Sequence, residues 1–512
     1  MKHFSGRQFM KRILVINSLS GVLNILVSVL LVVVTIPVFI SVLGMEQYGV
    51  FSLITLTGAL NVVSGFGLMT ALIKYLAEQG KSVASNKDIL TVLFIIAFVS
   101  GMLTLVAFVY GNEILARIFA IPPRYLTTDT KQCYEYFLIA NYVNLLTQVP
   151  LGILDSQQKV YISNLLLFAL NISTRGSMLG MLLIAPSLSH VAAIFLISTS
   201  LWGVLVFAVV LKVWGNFFTG ITLRELGRNI RKQFSYSFRI YVTALLGLTY
   251  EQVFKIVINY YVGIVEVGIF DIAVRMKNLV WNFGEKTLYP LLPYIASVDE
   301  SRASYIVAEI EQKIIFLILP IMVTATFIMH PFVLLWLGGQ HLDYIVWASC
   351  AFVGCYLLAL SVVPTYHFLM IKNHPSKNLF MQVVNVAVNY LLFFVFVKML
   401  GFYAVVLSYS MAVMCSYILA TYYKKTIIKA KSFSSGKQFL NLVSITSILV
   451  VIDLIVLVLA ASPKIIVVLV IGINMVAVII LFKVLRIFST EDVERYFGKS
   501  VAAKRLATYL LM

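Results

Sequence analysis

The chain has 512 residues, of which 61% are hydrophobic and only 12% charged, with a formal net charge of +18 and a mean hydropathy of +0.97. So little polar surface cannot cover a globular exterior in water, which excludes a soluble enzyme or binding domain and leaves an all-α, polytopic membrane protein. The surplus of Lys and Arg then signals membrane topology and attraction to anionic lipid, and no nucleic-acid partner is expected.

Apolar runs of roughly twenty residues, the length that crosses a hydrocarbon core of about 30 Å, recur from end to end. The first, 13 to 40 after Lys11 and Arg12, is too long for a signal peptide and lacks a small-residue cleavage site, so it is a retained helix. A turn phrase from Val42 to Phe51 (VLGMEQYGVF) leads into the second run, 48 to 70, and runs three to six follow at 88 to 110, 133 to 153, 161 to 184 and 190 to 212. Next comes the longest basic connection. Thr222, Leu223, Arg224 and Glu225 have the form of a capping box, after which Leu223, Leu226, Ile230 and Phe234 alternate at helical spacing with Arg224, Arg228, Arg231 and Lys232. This predicts an amphipathic helix on the cytoplasmic surface. Runs seven and eight, 236 to 260 and 267 to 292, are joined from Tyr261 to Phe270 by YVGIVEVGIF, which repeats the glycines and the glutamate of the first phrase in register. Runs nine to twelve occupy 313 to 337, 343 to 371, 377 to 398 and 402 to 423. After the basic stretch Lys424 to Lys437, runs thirteen and fourteen take 439 to 460 and 464 to 486.

The repeated phrase predicts a duplicated bundle: a six-helix bundle in 1–212, an amphipathic linker in 213–235, a second six-helix bundle in 236–423, and two extra helices with a cytoplasmic tail in 424–512. Repeats of this kind enclose a substrate path and rock against each other, so the duplication predicts a transporter. With the N-terminus in the cytoplasm, Lys and Arg divide about 30 to about 5 in favour of the cytoplasmic segments, which predicts both termini inside and 111–132 outside. Cys133, Cys350, Cys355 and Cys415 lack metal-ligand spacing and are expected to be packing thiols.

Polar residues at helical spacing mark the faces that look away from lipid. Such stripes are Asn17, Asn24, Ser28 and Thr35 in run one; Asn141, Asn144, Gln148 and Asp155 in run four; Asn164, Asn171 and Arg175 in run five; and Gln382, Asn385 and Asn389 in run eleven. Taken singly each amide is interhelical glue, worth roughly 0.6 kcal/mol. Stripes in both halves fit a wide lumen that hydrogen-bonds hydroxyl groups. Four cations, Arg175, Lys255, Arg275 and Lys277, lie within the runs, at an insertion cost of roughly 2.5 to 3.5 kcal/mol each. Glu251 stands one turn before Lys255 and Asp271 one turn before Arg275, so local ion pairs compete with substrate binding as their role. Arg275 shares its face with Asp271, Asn278 and Asn282, while Lys277 points elsewhere. A net positive lumen suits a phosphate-bearing substrate.

Run one contains no Asp or Glu, so the carboxylate that cation-coupled drug antiporters often place there is missing. Asp453 is the isolated acid of run thirteen, for which pairing with a neighbouring helix is expected. His190, His330, His341, His367 and His374 fall at helix ends, where an interfacial role is the default. No nucleotide-cradling glycine loop, zinc spacing or nucleophile with its base is present, so neither an enzyme nor a cofactor is expected, and the driving ion is not legible. A glycan polymerase would need large outer loops, and the longest, 111–132, is short.

The segment Pro37 to Phe51 (PVFISVLGMEQYGVF), its echo ending Gly268, Ile269 and Phe270, and the helix end Pro290, Leu291, Leu292 and Pro293 resemble the polysaccharide flippases, the Wzx type, of the multidrug/oligosaccharidyl-lipid/polysaccharide exporter superfamily. That resemblance implies two six-helix bundles around a cationic cavity in a bacterial inner membrane. It implies as substrate an undecaprenyl-diphosphate-linked glycan, carried from the inner to the outer leaflet by alternating access for surface polysaccharide such as O-antigen or exopolysaccharide, with the polymerase machinery as partner. On this reading Arg175, Lys255, Arg275 and Lys277 are the pyrophosphate candidates. Asn24, Asn141, Asn144, Gln148, Asn171, Glu251, Asp271, Asn278, Gln382 and Asn385 line the lumen. A cation-coupled multidrug antiporter of the same superfamily is the alternative. Many polysaccharide flippases have twelve helices, so runs thirteen and fourteen stand outside the shared pattern.

Overall fold

The computed structural model describes residues 2–218, 220–288, 295, 298–339, 341–372, 374–429, 436–460 and 462–485. The helix end Pro290 to Pro293, the side chains of Asn17 and Leu223, and the tail from 486 onward lie outside the described residues. Among the described residues every regular element is helical, and 12 helices are long and apolar enough to cross a membrane. The expected fourteen runs account for that figure. Val27–Gly65 overlaps the first two runs, joined through a kink, and Ile264–Leu288 is long enough but carries Glu266, Asp271, Arg275 and Lys277.

The chain forms two compact units, Met1–Asp271 and Ile272–Met512. In the first, α1 (Lys2–Ile54) is broken at Gly44, whose φ of 84° and ψ of 164° no residue with a Cβ adopts without strain. The turn phrase is thereby the bend between two membrane helices. After a short 3-10 turn come α2 (Leu68–Gln79), α3 (Val83–Val109), α4 (Thr128–Ser156), α5 (Val160–Ile184) and α6 (Leu188–Trp214). Ser82, Thr127 and Ser187 cap α3, α4 and α6 by accepting hydrogen bonds from the N–H groups of Ser85, Thr130 and His190, each cap worth about 1 kcal/mol. Helix α4 packs on α6 and α5 packs on α1. Leu72, Ile89, Leu145, Val149 and Val206 form the centre of the unit with Trp202, whose indole N–H donates to the Leu166 carbonyl at 2.7 Å.

The capping box forms at Thr222 and Glu225, but the helix it starts, α7 (Leu223–Leu248), does not stop at the end of the linker. Residues 234–238 contain neither Gly nor Pro, so the linker and run seven are one rod, which passes through a π-helical turn, Thr249–Val253, into α8 (Phe254–Tyr261). The apolar face of the linker is covered by protein, because Ile230 and Phe234 pack against the centre of the unit. Beside them Asn229 donates to Thr91 at 3.3 Å, Lys232 to Asp88 at 2.8 Å and Lys87 to Glu225 at 2.5 Å. The Lys87 ammonium, followed by the Thr222 backbone N–H, holds the Glu225 carboxyl down at about 2.

Helix α9 (Ile264–Leu288) carries the chain into the second unit, which contains α10 (Glu300–Leu337), α11 (Leu342–Leu360), α12 (Val363–Ile371), α13 (Pro375–Leu400), α14 (Phe402–Tyr423), α15 (Gly436–Leu459) and α16 (Pro463–Leu485). Asp299 caps α10 through the Arg302 N–H at 3.1 Å, and the bonds to Ser301 and Arg302 hold its carboxyl below the ordinary carboxylate value. The two C-terminal helices pack on α10, with Phe316 and Val323 against Ile445, Leu449 and Phe482. Asn474 on α16 donates to Thr324 of α10 at 2.8 Å and to Asp453 of α15 at 3.0 Å, so Asp453 is paired with a neighbouring helix and fully buried.

Candidate translocation site

The two copies of the turn phrase meet in the first unit. A Cβ on Gly49 would overlap the carbonyl oxygen of Ile264, and one on Gly268 would lie 3.2 Å from the Met45 sulfur and 3.3 Å from its carbonyl. The matching glycines of the two phrases are therefore close-approach sites that let the hairpins abut. Around this contact Lys255 Nζ donates to Asp271 Oδ1 at 2.6 Å and to Ser52 Oγ at 3.2 Å, while the Tyr48 hydroxyl donates to Asp271 Oδ2 at 2.6 Å. The side chains of Lys255 and Asp271 are 5% and 4% exposed. The local expectation that Glu251 pairs with Lys255 gives way to this arrangement, because Asp271 approaches Lys255 from the next helix, with Ser52 and Tyr48 bonded to the pair. An ion pair so nearly sealed from solvent is one whose disruption costs far more than that of a surface pair.

The polar stripes of runs one and five face each other. Asn171 Nδ2 donates to Asn24 Oδ1 and to Ser28 Oγ, both at 3.1 Å, and Asn164 donates to Ser20 at 3.0 Å. Here the amides act as interhelical links, and Arg175, half-buried, stands one turn beyond Asn171 on the same helix. Asn141 donates to Thr57 at 2.9 Å, while Asn144 and Gln148 are half-buried along the same helix.

In the second unit Lys277 is 2% exposed, with its ammonium 4.2 Å from the ring centre of Tyr356 and 6.0 Å from that of Tyr409. The two tyrosine hydroxyls are 3.2 Å apart, and Trp281 meets Tyr356 edge-on at 5.4 Å. A cation held over electron-rich faces gains about 2 kcal/mol when desolvated. Arg275 and Asn278 are half-buried on α9, as is Glu251 in the first unit. On α13, Gln382 donates to the Tyr366 hydroxyl at 3.2 Å. The Gln382 and Asn385 carbonyl oxygens and both amide atoms of Asn389 are buried without a hydrogen-bond partner among the described residues.

Other polar groups escaped the sequence reading. Glu311 accepts from Lys424 at 2.7 Å and from the Thr365 N–H at 3.0 Å, and its side chain is 2% exposed. Glu311 falls two residues before the start assigned to run nine and Lys424 one residue after run twelve, so neither counts as intramembrane by span alone. His367 is not interfacial: it is 7% exposed and neither ring nitrogen has a hydrogen-bond partner among the described residues. Cys133 is buried and the other three cysteines are half-buried and free. Among the described residues no three His, Cys, Asp or Glu side chains come together to hold a metal ion.

Two helical units, each with a buried cation and with 12 helices between them long and apolar enough to cross a membrane, define a polytopic membrane protein. Solved structures share its fold. The lipid II flippase MurJ in an inward closed conformation superposes with a TM-score of 0.75 at 15% identity, over 92% of this chain and 98% of that one. An inward-facing multidrug resistance MATE family transporter of the MOP superfamily gives 0.60 at 14%, over 78% and 94%, and a MOP superfamily transporter from Pyrococcus furiosus gives 0.56 at 15%, over 82% and 96%. At such identities the likeness is one of fold. No curated protein matches the sequence. Residues 14–298, more than half of the chain, match the family described as polysaccharide biosynthesis protein, and the chain belongs to that family.

Proposed function

We propose that the protein flips a polyprenyl-diphosphate-linked oligosaccharide from the cytoplasmic to the outer leaflet of a bacterial inner membrane by alternating access, supplying surface polysaccharide assembly. The observation that carries this reading is the joint presence, in a member of the polysaccharide biosynthesis family, of buried or half-buried cations and amide-lined helices in both units. Lys255 is paired with Asp271; Arg175, Arg275 and Lys277 are the diphosphate candidates by charge and place, with Arg as a bidentate ligand and Lys as a point charge. The amides of Asn144, Gln148, Asn278 and Asn385 supply hydrogen bonds suited to sugar hydroxyls. Only unequal binding of the two states by substrate or ion biases such a cycle.

Deletion of the gene tests the assignment: a lipid-linked glycan should accumulate on the cytoplasmic leaflet. The likeness to a multidrug transporter supports the second reading, cation-coupled drug export, and normal surface glycan with new sensitivity to cationic dyes would select it. Orientation is tested separately. Thr128 is exposed at the start of α4, and a Cβ on Gly227 meets nothing within 4 Å. In intact spheroplasts Thr128→Cys should react with an impermeant thiol reagent and Gly227→Cys should not, the reverse pattern inverting the topology.

A further inference from the structure

Arg224, Arg228 and Arg231 lie on one face of α7, and all three are exposed. At 100° per residue they fall within a narrow stripe, and the next described position on that stripe is Phe238, which is 59% exposed. The opposite face, Asn229, Gln233 and Ser237, is buried. Along about 21 Å of helix the outward stripe thus changes from three cations to an aromatic ring, the order in which a helix passes from phosphate headgroups into hydrocarbon. The neighbouring acid cannot neutralise the arginines, because the Glu225 carboxylate is engaged by Lys87 at 2.5 Å and by the Thr222 N–H at 3.1 Å. None of the three guanidinium groups has an ion-pair partner among the described residues.

We propose that Arg224, Arg228 and Arg231 bind the phosphates of anionic phospholipids in the leaflet where α7 enters the membrane, so that a small patch of acidic lipid is concentrated beside the first unit. The buried face explains why the stripe can do this: α7 is held to α3 through Lys232 and Asp88 and through Asn229 and Thr91, so the arginines are presented from a fixed helix. Each basic residue near such a surface favours acidic lipid about fivefold, and the gain is screened by salt.

The test uses the full-length protein carrying a local reporter, Phe238→Trp, in vesicles of phosphatidylcholine doped with brominated phosphatidylglycerol or brominated phosphatidylcholine at equal mole fraction. Reporter fluorescence is taken as the difference from protein that keeps Phe238. Brominated phosphatidylglycerol should quench several-fold more strongly than brominated phosphatidylcholine at low salt, and the excess should shrink at high salt. Arg224→Gln with Arg228→Gln and Arg231→Gln should abolish the excess, whereas the three Arg→Lys changes should keep most of it. Equal quenching by the two lipids in the reporter protein would overturn the proposal and assign the stripe to an acidic protein partner. An excess that survives the three Gln changes would overturn it too, by locating the anionic selectivity elsewhere.

Discussion

Replacing Asp271 with Asn should destabilise the first unit by more than any surface substitution. The change leaves the buried Lys255 with Ser52 as its remaining hydrogen-bond partner at 3.2 Å among the described residues, and removing one member of a buried ion pair costs about 3–5 kcal/mol. Tyr48→Phe removes one hydrogen bond to the same carboxylate and should cost about 1.5–3 kcal/mol. The informative variant is the double one. Lys255→Met with Asp271→Leu removes both charges together, and apolar replacement of a buried pair is often near neutral, so most of the loss in Asp271→Asn should be recovered. Thermal unfolding of detergent-purified protein, followed by fluorescence-detected size exclusion, measures each of these proteins. A double variant whose midpoint falls by the sum of Lys255→Met and Asp271→Leu taken singly would refute the coupling, because independent sites add. Glu251→Gln provides the contrast: it should leave the Lys255 coupling intact, since the lysine's partner comes from the next helix.

Gly49→Ala should be among the most damaging of the small changes, because its methyl overlaps the Ile264 carbonyl and backbone cannot yield as a side-chain tip can; a loss of about 1–3 kcal/mol in the same assay is expected, and an unchanged midpoint would show that the hairpins do not abut. Arg175→Lys should retain partial transport while Arg175→Ala loses most of it at normal membrane abundance, measured by glycan export and immunoblot; loss of abundance in Arg175→Ala would assign the residue to folding. For Glu225 the carboxyl lies below its ordinary value, so its contribution to the start of α7 is complete above about pH 4.3 and is lost as pH falls through about 2. The protection factor for hydrogen exchange at the 222–225 turn, the intrinsic rate divided by the observed rate at each pH, should therefore be flat from about pH 7 to about pH 5, and loss of protection centred near the ordinary carboxylate value would refute the Lys87 contact.

The helical architecture was legible because span length and apolarity are set by the bilayer, and the linker start was legible because a capping box is a local code. Side-chain partners were legible only where they are local. Lys255 illustrates the limit: a carboxylate one turn away made Glu251 the natural partner, but the pairing was decided by how closely two glycine-bearing hairpins approach. The Lys277 cage with Tyr356 and Tyr409 assembles three helices, and nothing in the spacing of any one of them points to it. Glu311 and Lys424 were lost at assigned helix ends, although each is a charge within a turn of an apolar run and that signal was available. The seam from Asn171 to Asn24 was readable as two stripes, but which stripe faces which required the fold.

The polar contacts of the last two helices bear on how the protein is made. Between helices in lipid there is little hydrophobic attraction, since the acyl chains are as apolar as leucine. The packing of Ile445, Leu449 and Phe482 on α10 thus has competition from lipid at every moment. What distinguishes the finished position is polar: Asp453, fully buried, and Thr324 both receive the Asn474 amide. During synthesis α15 enters the bilayer with its acid before the residue that will bond it has left the ribosome, an insertion burden of roughly 2.5 to 3.5 kcal/mol if charged. Among the described helices α15 therefore finds the partner of its buried acid only once α16 follows it into the bilayer, so the two settle on α10 as a pair.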